Sequence, residues 1–411
     1  MIPLQDALDR VLSTVKPLGA EQVPISEALG RVCANGILAN RDLPPFDHSG
    51  MDGYAARSEE IQDASIHHPV RLEVVEEVPA GMIPQKRVEK KKAIRIMTGA
   101  PIPEGADTVV PVEDTKQEEG FVLICTAASR GEHIRKAGED VRKGERVISE
   151  GDRIDPADIG MLASLGRAFV AVYQRATVAV LCTGEELVDV DGDLGGAKVV
   201  SSNAYSLAAQ VKDCGAIPIQ LGIARDRKEE IEEKFLQGLQ ADMLISSAGV
   251  SVGDYDLVKD VLSDLGMRTL FWKVAMKPGM PVVYGTLQGK PVFGLPGNPV
   301  ASMVTFEQLV RPSLLKMMGH RNLFRPVIDA VLNEGIRKRP GRVHFVRARV
   351  AFEKGRYVVV STGARGSGIL KPMAKANGLM VIPEDREIVK AGETVKVQLF
   401  EIVRSPEILV Q

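Results

Sequence analysis

Apolar residues recur along the chain with a spacing that changes from one segment to the next. Residues 1–36 show the three- and four-residue spacing of an amphipathic helix, with one face formed by Leu4, Leu8, Val11, Leu12 and Val15. From about residue 40 to 135 the pattern becomes short alternating or β-branched runs, punctuated by glycine and proline, at 71–75, 93–97, 108–112 and 121–125. The patterns predict a helical lead-in followed by a β-rich unit.

Strands and helices alternate between residues 177 and 318. The predicted strands are 177–182, 217–221, 242–246 and 291–294, and the predicted helices are 203–214, 227–239, 254–265 and 299–317. Such alternation is typical of a parallel sheet wrapped by helices. After residue 326 the pattern returns to strands, at 327–332, 344–352, 357–361, 379–382 and 395–400, which predict a β-barrel or sandwich.

The length of 411 residues exceeds the size at which a single hydrophobic core stops growing, so several domains are expected. The predicted fold class is α/β multidomain, with a central parallel-sheet βαβ domain flanked by a helical lead-in, a β-rich insert and a C-terminal barrel-like domain. The predicted domains are 1–45 with 141–173, 46–140, 174–325 and 326–411.

The charge balance excludes some classes of partner. The chain has 52 Lys plus Arg and 54 Asp plus Glu, a net charge of −2, which gives no overall field to hold nucleic acid or an anionic membrane. Its apolar runs fall far short of the roughly 20 residues of a membrane span, and its start does not resemble a secretory signal. A cytoplasmic protein is therefore expected.

The four cysteines, scattered without a CxxC pair, suit reduced thiols better than disulfides or a zinc site.

Acidic residues follow three of the predicted strands. Because ligands of open parallel sheets bind beyond the carboxyl ends of the strands, Glu186, Asp226 and Asp256 could converge at one edge. Oxygen ligands of this kind suit Mg²⁺ bridging to a phosphate. Simple helix capping by each acid is an equally good interpretation of the spacing.

Two glycine-rich turns and a pair of lysines lie in the same half of the chain. The turns at 246–256 and 294–302 lead into helices, where backbone N–H groups can meet a phosphate, although a tight turn with a helix cap explains them too. Lys273 and Lys277 are four residues apart, which would place both on one face of a strand. Isolated surface lysines remain the alternative.

Seven segments together resemble the molybdenum-insertion family that includes bacterial MoeA and the C-terminal part of gephyrin. They are PPFDHSGMDGYA (44–55), MTGAPIPEGADTVVPVE (97–113), RKAGEDV (135–141), CTGEEL (182–187), SSAGVSVGDYD (246–256), FWKVAMKPGMP (271–281) and GLPGNPVAS (294–302). The resemblance covers essentially the whole chain. It implies a homodimer whose βαβ domain binds the pterin and nucleotide, with the partner subunit contributing to the cleft.

The resemblance also implies roles for individual residues. Catalytic roles fall on Asp52, Thr98, Asp140, Glu186, Asp226, Asp256, Lys273 and Lys277, and metal ligation on Glu186, Asp226 and Asp256. Contacts with the pterin nucleotide or the oxyanion fall on Thr183, Gly184, Ser247, Gly249, Ser251, Gly253, Pro296, Gly297, Asn298, Pro299, Arg347 and Ser367. Three positions depart from the family pattern: His48 for Asn, Gly50 for Ala, and Ala248 for Gly. Because alanine disfavours positive φ, Ala248 is expected to have negative φ unless the turn tolerates strain.

The implied activity is that of a molybdopterin molybdenumtransferase. With Mg²⁺, such an enzyme inserts molybdate into adenylylated molybdopterin and releases AMP. The implied protein partners, besides a second subunit, are the molybdopterin adenylyltransferase and molybdoenzyme-maturation proteins. Two alternatives stay open at this point: a molybdopterin adenylyltransferase, which shares the βαβ domain but lacks the β-rich surroundings, and a non-enzymatic scaffold. The sequence does not distinguish molybdate from tungstate, which are similar tetrahedral dianions.

Overall fold

Three six-stranded sheets organise the chain in the computed structural model, which describes residues 1–249, 257–363 and 366–401. One sheet belongs to the β-rich insert, one to the α/β unit and one to the C-terminal barrel. The predicted α/β fold with a C-terminal barrel is confirmed. No helix in the described ranges is long and apolar enough to cross a lipid bilayer.

The central sheet is parallel in its core and antiparallel at one side. Its strands, in spatial order, are Ile217–Ala224, Thr177–Thr183, Met243–Ser247, Lys290–Leu295, Pro281–Leu287 and Arg268–Lys273. The first four are parallel, as predicted. Pro281–Leu287 pairs antiparallel with both of its neighbours, and neither it nor Arg268–Lys273 was among the strands predicted for this sheet. The helices are Ser202–Asp213, Lys228–Gly238, Leu257–Asp264, Pro299–Thr305 and Arg311–Met317, the last two joined by the π-helical turn Phe306–Val310.

Apolar residues on both faces explain why the central strands are buried. Along the strand Thr177–Thr183, Val178 and Val180 pack in one buried cluster while Ala179 and Leu181 pack in another. Alternate side chains of a strand point to opposite faces, so a nearly continuous apolar run suits a strand covered by helices on both sides. This burial holds the carboxyl ends of the parallel strands rigidly beneath the loops that follow them.

The N-terminal helix, Leu4–Thr14, packs on the α/β unit. Its buried residues Ala7, Leu8 and Val11 join the same cluster as Val178. The remaining elements of the lead-in and of residues 141–173 form a separate buried cluster that includes Val23 and Leu162. These elements are the strands Ala20–Pro24, Ile37–Leu38, Arg146–Ile148 and Phe169–Tyr173, the 3₁₀ turn Ile25–Glu27 and the helix Pro156–Ser164. The domain boundaries themselves stay a prediction.

The β-rich insert contains a six-stranded sheet. Its strands, in spatial order, are Thr108–Pro111, Gly53–Ala56, Lys92–Ile96, Val70–Val78, Phe121–Ile124 and Thr115–Glu118. Smaller elements are the strand pair His48–Ser49 and Ile134–Arg135, the 3₁₀ turn Val112–Asp114 and the short helix Ser58–Ile61.

The C-terminal unit is a closed five-stranded barrel. The barrel order is Val343–Glu353, Arg356–Ser361, Val327–Leu332, Thr394–Leu399 and Gly378–Ile382, which pairs back with the first strand. Outside it lie the helix Lys371–Ala374, the paired strands Ile336–Arg337 and Ile388–Val389, and the strand Met276–Lys277, which joins the barrel from the α/β unit.

Candidate active site

A cavity of about 580 Å³ lies beyond the carboxyl ends of the parallel strands. It is where an open α/β sheet places its ligands. Its lining includes Cys182, Glu186, Asn203 and both predicted glycine-rich turns, in the form of Ser247, Ala248, Gly249, Pro296, Gly297, Asn298 and Pro299. Burial raises the pKa of the Cys182 thiol, which keeps it neutral. Glu186 is the one charged residue among the described residues of the lining.

Glu186 belongs to a loop that is fixed by basic residues acting on its backbone. Arg225 donates from Nη1 to the carbonyl oxygens of Glu185 and Leu187, at 3.1 and 2.9 Å, and Lys198 donates to that of Glu185 at 2.6 Å. Gly184 allows the Glu186 carboxylate to fold back, because a Cβ at Gly184 would lie only 2.6 Å from Glu186 Oε2. The cations therefore position the acid without neutralising its carboxylate.

Asp226 lies beside this loop. The backbone N–H of Glu185 donates to Asp226 Oδ2 at 3.3 Å, and the backbone N–H of Asp226 donates to Glu185 Oε1 at 3.2 Å. The structure thus brings two of the predicted acidic loops together. The third acid, Asp256, and the predicted contacts Ser251 and Gly253 lie outside the described residues. Among the described residues, no three His, Cys, Asp or Glu side chains form a group that could hold a metal ion.

The two glycine-rich turns touch each other across the cavity. Ala248 adopts φ +78° and Gly249 φ +70°, so of the two possibilities at Ala248 the strained one, with positive φ, is observed. The turn keeps the left-handed geometry that suits glycine, and alanine accepts the strain. A Cβ at Gly297 would lie 3.2 Å from Cβ of Ala248, whereas one at Gly249 would lie 2.3 Å from Val258. Close backbone packing explains the glycines at 249 and 297.

Asn203, which the sequence analysis did not single out, connects the two turns. Its Nδ2 donates to Ser247 Oγ at 2.8 Å and to the carbonyl oxygen of Gly297 at 2.7 Å. Because a carbonyl oxygen only accepts, the bond to Gly297 fixes the orientation of the amide. Asn203 is 8% exposed. Asn203 is the second residue of the helix Ser202–Asp213, which follows the loop of Glu186. That position is the one signal in the sequence that could have identified it.

The expected placement of the two lysines on one face of a strand is wrong. The strand Arg268–Lys273 ends at Lys273, which pairs with Pro281 at the edge of the cavity. The chain then bends at Ala275, and Met276–Lys277 pairs in parallel with Val343 and His344 of the barrel. Lys277 lines a second cavity together with barrel residues. The two-residue period does not continue through a turn that changes sheets.

Two of the predicted residues in the β-rich insert lie together. Thr98 donates from its hydroxyl and its backbone N–H to Asp52 Oδ1, at 2.6 and 2.7 Å. These bonds lower the pKa of Asp52, the hydroxyl contributing most. Asp140 is exposed, and its backbone N–H donates to the carbonyl oxygen of Leu43. Within the described chain, no residue between 46 and 140 lines the first cavity.

Arg347 and Ser367 position a loop of the barrel against the α/β unit. Buried Arg347 donates from Nη1 to the carbonyl oxygens of Gly366 and Ile369, at 3.1 and 3.0 Å. The carbonyl oxygen of Ser367 accepts from the backbone N–H of Val300 at 3.0 Å, near the start of the helix Pro299–Thr305. Gly368, on the same loop, lines the first cavity. Thr183, which is buried, lies beneath the turn at Gly249.

Comparisons with known proteins cover almost the whole chain. The family models that match are the MoeA N-terminal region (domain I and II) at residues 2–166, a probable molybdopterin binding domain at 179–316 and the MoeA C-terminal region (domain IV) at 329–400. A molybdopterin molybdenumtransferase of Haemophilus influenzae is 37% identical, over 97% of this chain and 99% of its own.

Two further relatives agree with these matches. Molybdopterin molybdenumtransferase 2 of Mycobacterium tuberculosis is 40% identical, over 91% of this chain and 94% of its own. The crystal structure of the molybdopterin biosynthesis moeA protein from Pyrococcus horikoshii OT3 matches with a TM-score of 0.84 and 32% identity, over 97% of this chain and 100% of that one.

Proposed function

Because the chain belongs to the MoeA family of molybdopterin biosynthesis proteins, we propose that it is a molybdopterin molybdenumtransferase. It transfers molybdenum from molybdate to the dithiolene of adenylylated molybdopterin and releases AMP. The observation that carries this proposal is the 580 Å³ cavity between the two glycine-rich turns, with one carboxylate at its margin. A cavity of this size, lined by apolar side chains together with a few polar groups, suits a pterin nucleotide.

We also propose a Mg²⁺ ion at the side of this cavity where the loops of Glu186 and Asp226 meet. Glu186, Asp226 and Asp256 would hold it together with oxygens of the pyrophosphate, since Mg²⁺ prefers carboxylate and phosphate oxygens. Once bound, the ion supplies Lewis-acid polarisation of a phosphoryl oxygen. Arg225 and Lys198 hold the backbone of the Glu186 loop, which leaves the negative charge of the carboxylates available.

The remaining predicted residues have complementary tasks. Backbone N–H groups of Gly249, Gly297 and Asn298 would bind the phosphate and ribose oxygens of the nucleotide. Lys273, beside the cavity, and Arg347, behind the loop of Gly368, balance the charge of the molybdate. Asp52, Thr98 and Asp140 lie in the β-rich insert and act from the other half of the cleft.

A homodimer follows from this assignment. The insert contributes no described residue to the cavity of its own chain, so we propose that the insert of a second subunit closes it. The near-neutral charge of the chain and the soluble substrates agree with a cytoplasmic enzyme.

The test measures AMP release from adenylylated molybdopterin by the purified full-length chain with Mg²⁺. Release should require molybdate. The substitutions Glu186→Gln and Asp256→Asn keep the shape of the side chain but remove its charge. Each should lower the rate of AMP release about 100-fold, because loss of a residue that holds a metal, directly or through another ligand, typically costs that much activity. The control Asp191→Asn, an exposed acid in the neighbouring loop, should have the wild-type rate.

Other outcomes point to other functions. Formation of adenylylated pterin from molybdopterin and ATP would assign the chain as an adenylyltransferase. Neither reaction, in a folded protein, would favour a scaffold. Wild-type rates in both charge-removing variants would contradict the roles of Glu186 and Asp256.

A further inference from the structure

The barrel and the α/β unit enclose a second cavity, also of about 580 Å³, with a strongly basic lining. Its lining has five cationic side chains, one histidine and one acid: Lys277, Arg337, Lys338, Arg339, Arg342, His344 and Glu387. We call it the basic cavity. It forms where Met276–Lys277 joins the barrel strand Val343–Glu353, next to the paired strands Ile336–Arg337 and Ile388–Val389. The family resemblance assigns a role only to Lys277 in this group.

Lys338 is a buried ammonium group held by neutral partners. The residue is 7% exposed, and its Nζ donates to the carbonyl oxygens of Arg342 and Glu384, at 3.0 and 3.1 Å. An ammonium group has three N–H donors, so these two carbonyls leave one donor for a further acceptor. Burial, helped by Arg342, lowers the pKa of Lys338, whereas Asp385 and Glu384 oppose the shift.

The other cations of the basic cavity differ in their partners. Arg337 pairs with Glu387, with Nη2 and Oε1 3.1 Å apart. The guanidinium of Arg342 has Met280 Sδ at 3.6 Å, a weak acceptor. In the part of the chain that the structure describes, no ion pair involves Lys277, Lys338, Arg339 or Arg342. The lining has five cations and one acid, Glu387, and Glu384 and Asp385 offset part of the charge near Lys338. The remaining excess of positive charge is repulsive, and a bound anion would relieve that cost.

We propose that the basic cavity binds a tetrahedral oxyanion, either molybdate or a phosphate group. Arginine and lysine together suit such a ligand, because guanidinium groups donate paired hydrogen bonds and ammonium groups act as compact charges. The two cavities share one short segment: Lys277 lines the basic cavity, Met280 contacts Arg342, and Pro281 lines the first cavity. That the anion is the molybdate substrate, held before transfer, rests on the proposed function.

Direct binding tests the site without turnover. Equilibrium dialysis of the full-length chain against molybdate alone and against inorganic phosphate alone gives the number of anions bound and their affinities. The double variant Arg339→Gln/Arg342→Gln should bind one anion fewer, or bind it about tenfold more weakly, as expected when charged hydrogen-bond donors are lost. Lys338→Met, which keeps the length of the side chain, should have the same effect.

Controls separate this site from others. Arg349→Gln removes an exposed cation from the same barrel strand as Val343 and should leave binding unchanged. If Lys338→Met fails to fold, anion binding by the double variant Arg339→Gln/Arg342→Gln tests the proposal, because these two residues are exposed and half-buried, respectively. Wild-type binding of both anions by the double variant, or binding of neither by the wild type, overturns the proposal.

The same measurement identifies the source of the anion. Tighter binding of molybdate than of phosphate supports the metal substrate, whereas tighter binding of phosphate supports the phosphate group of an organic ligand. In Glu186→Gln, oxyanion binding should persist even if AMP release is lost. Failure of the proposed activity with retained binding would therefore leave the basic cavity as an anion site of another purpose.

Discussion

The cavity above the parallel strands and the basic cavity have the same volume and opposite linings. The cavity above the parallel strands has one charged side chain, Glu186, among its described lining residues, whereas the basic cavity has five cations and one acid. The net charge of the whole chain, −2, does not reveal this local difference in charge. Acidic and basic side chains are thus concentrated at different cavities. The acidic margin of the first cavity suits a divalent cation bound to a phosphate, and the cations of the basic cavity suit an oxyanion.

The cavities also differ in how they are built. The first consists mainly of backbone at turns, held by Asn203 and by the glycines, so its shape depends on φ values and on single hydrogen bonds. The basic cavity consists of long side chains on the outside of a closed barrel, so its property is charge. Substitutions that add or remove a few atoms should therefore impair ligand binding in the first cavity. Substitutions that remove a charge should change anion binding in the basic cavity.

The largest effect is expected from Gly184→Ala. The added Cβ would lie 2.6 Å from Glu186 Oε2, and φ at this position is +152°, so the carboxylate must move. We expect the rate of AMP release to fall about 100-fold, because displacement of a metal ligand typically lowers activity by that factor. Steady-state rates at several Mg²⁺ concentrations measure it, and a higher Mg²⁺ requirement should accompany the loss.

Gly160→Ala is the matched control, because a Cβ there meets nothing within 4 Å. It should retain the wild-type rate. Oxyanion binding to the basic cavity should be unchanged in both variants. A wild-type Mg²⁺ requirement in Gly184→Ala would show that the position of Glu186 is unimportant.

A smaller effect is expected from Asn203→Ala. The substitution removes the hydrogen bonds to Ser247 and Gly297 and leaves buried acceptors without a donor. We expect the free energy of unfolding to fall by about 2 kcal/mol, measured by chemical denaturation, with weaker binding of the pterin nucleotide. Asn203→Asp keeps the shape but has no donor, so it should not rescue either property; rescue would mean that the hydrogen bonds do not connect the turns.

Much of the fold followed from local pattern. The four parallel strands of the α/β unit and the barrel strands were predicted within a few residues, because their apolar runs are buried by the sheets that they form. The antiparallel strands Arg268–Lys273 and Pro281–Leu287 were not predicted. Their pairing is set by contacts with distant strands, which a local period does not contain.

The site was predicted in part for a similar reason. The loops of Glu186 and of the two glycine-rich turns follow directly from the strand ends, and they line one cavity. Lys277 was misplaced because the chain bends at Ala275, leaves the central sheet and pairs with the barrel. Asn203 was missed because its role depends on two turns that are far apart in sequence. The roles assigned to individual site residues remain predictions.

A stabilising effect is expected from Ala248→Gly. Alanine at φ +78° is strained, and glycine adopts this conformation without that cost. We expect the free energy of unfolding to rise by about 1 kcal/mol. In the control Ala209→Gly, on the exposed face of the helix Ser202–Asp213, the same exchange should lower it by about 1 kcal/mol. Equal signs in the two variants would contradict the strain at Ala248.

The smallest effect is expected from Glu387→Gln, and it has the opposite sign to that of the other changes in the basic cavity. Glu387 is the one acid there, and it pairs with Arg337 at a largely exposed position. Because solvent screens exposed charges, we expect the affinity for molybdate or phosphate to rise only about twofold. Equilibrium dialysis at low salt measures the change, and added potassium chloride should abolish it. A weaker affinity in Glu387→Gln would mean that the pair with Arg337 orients the guanidinium toward the anion, so that geometry rather than net charge limits binding.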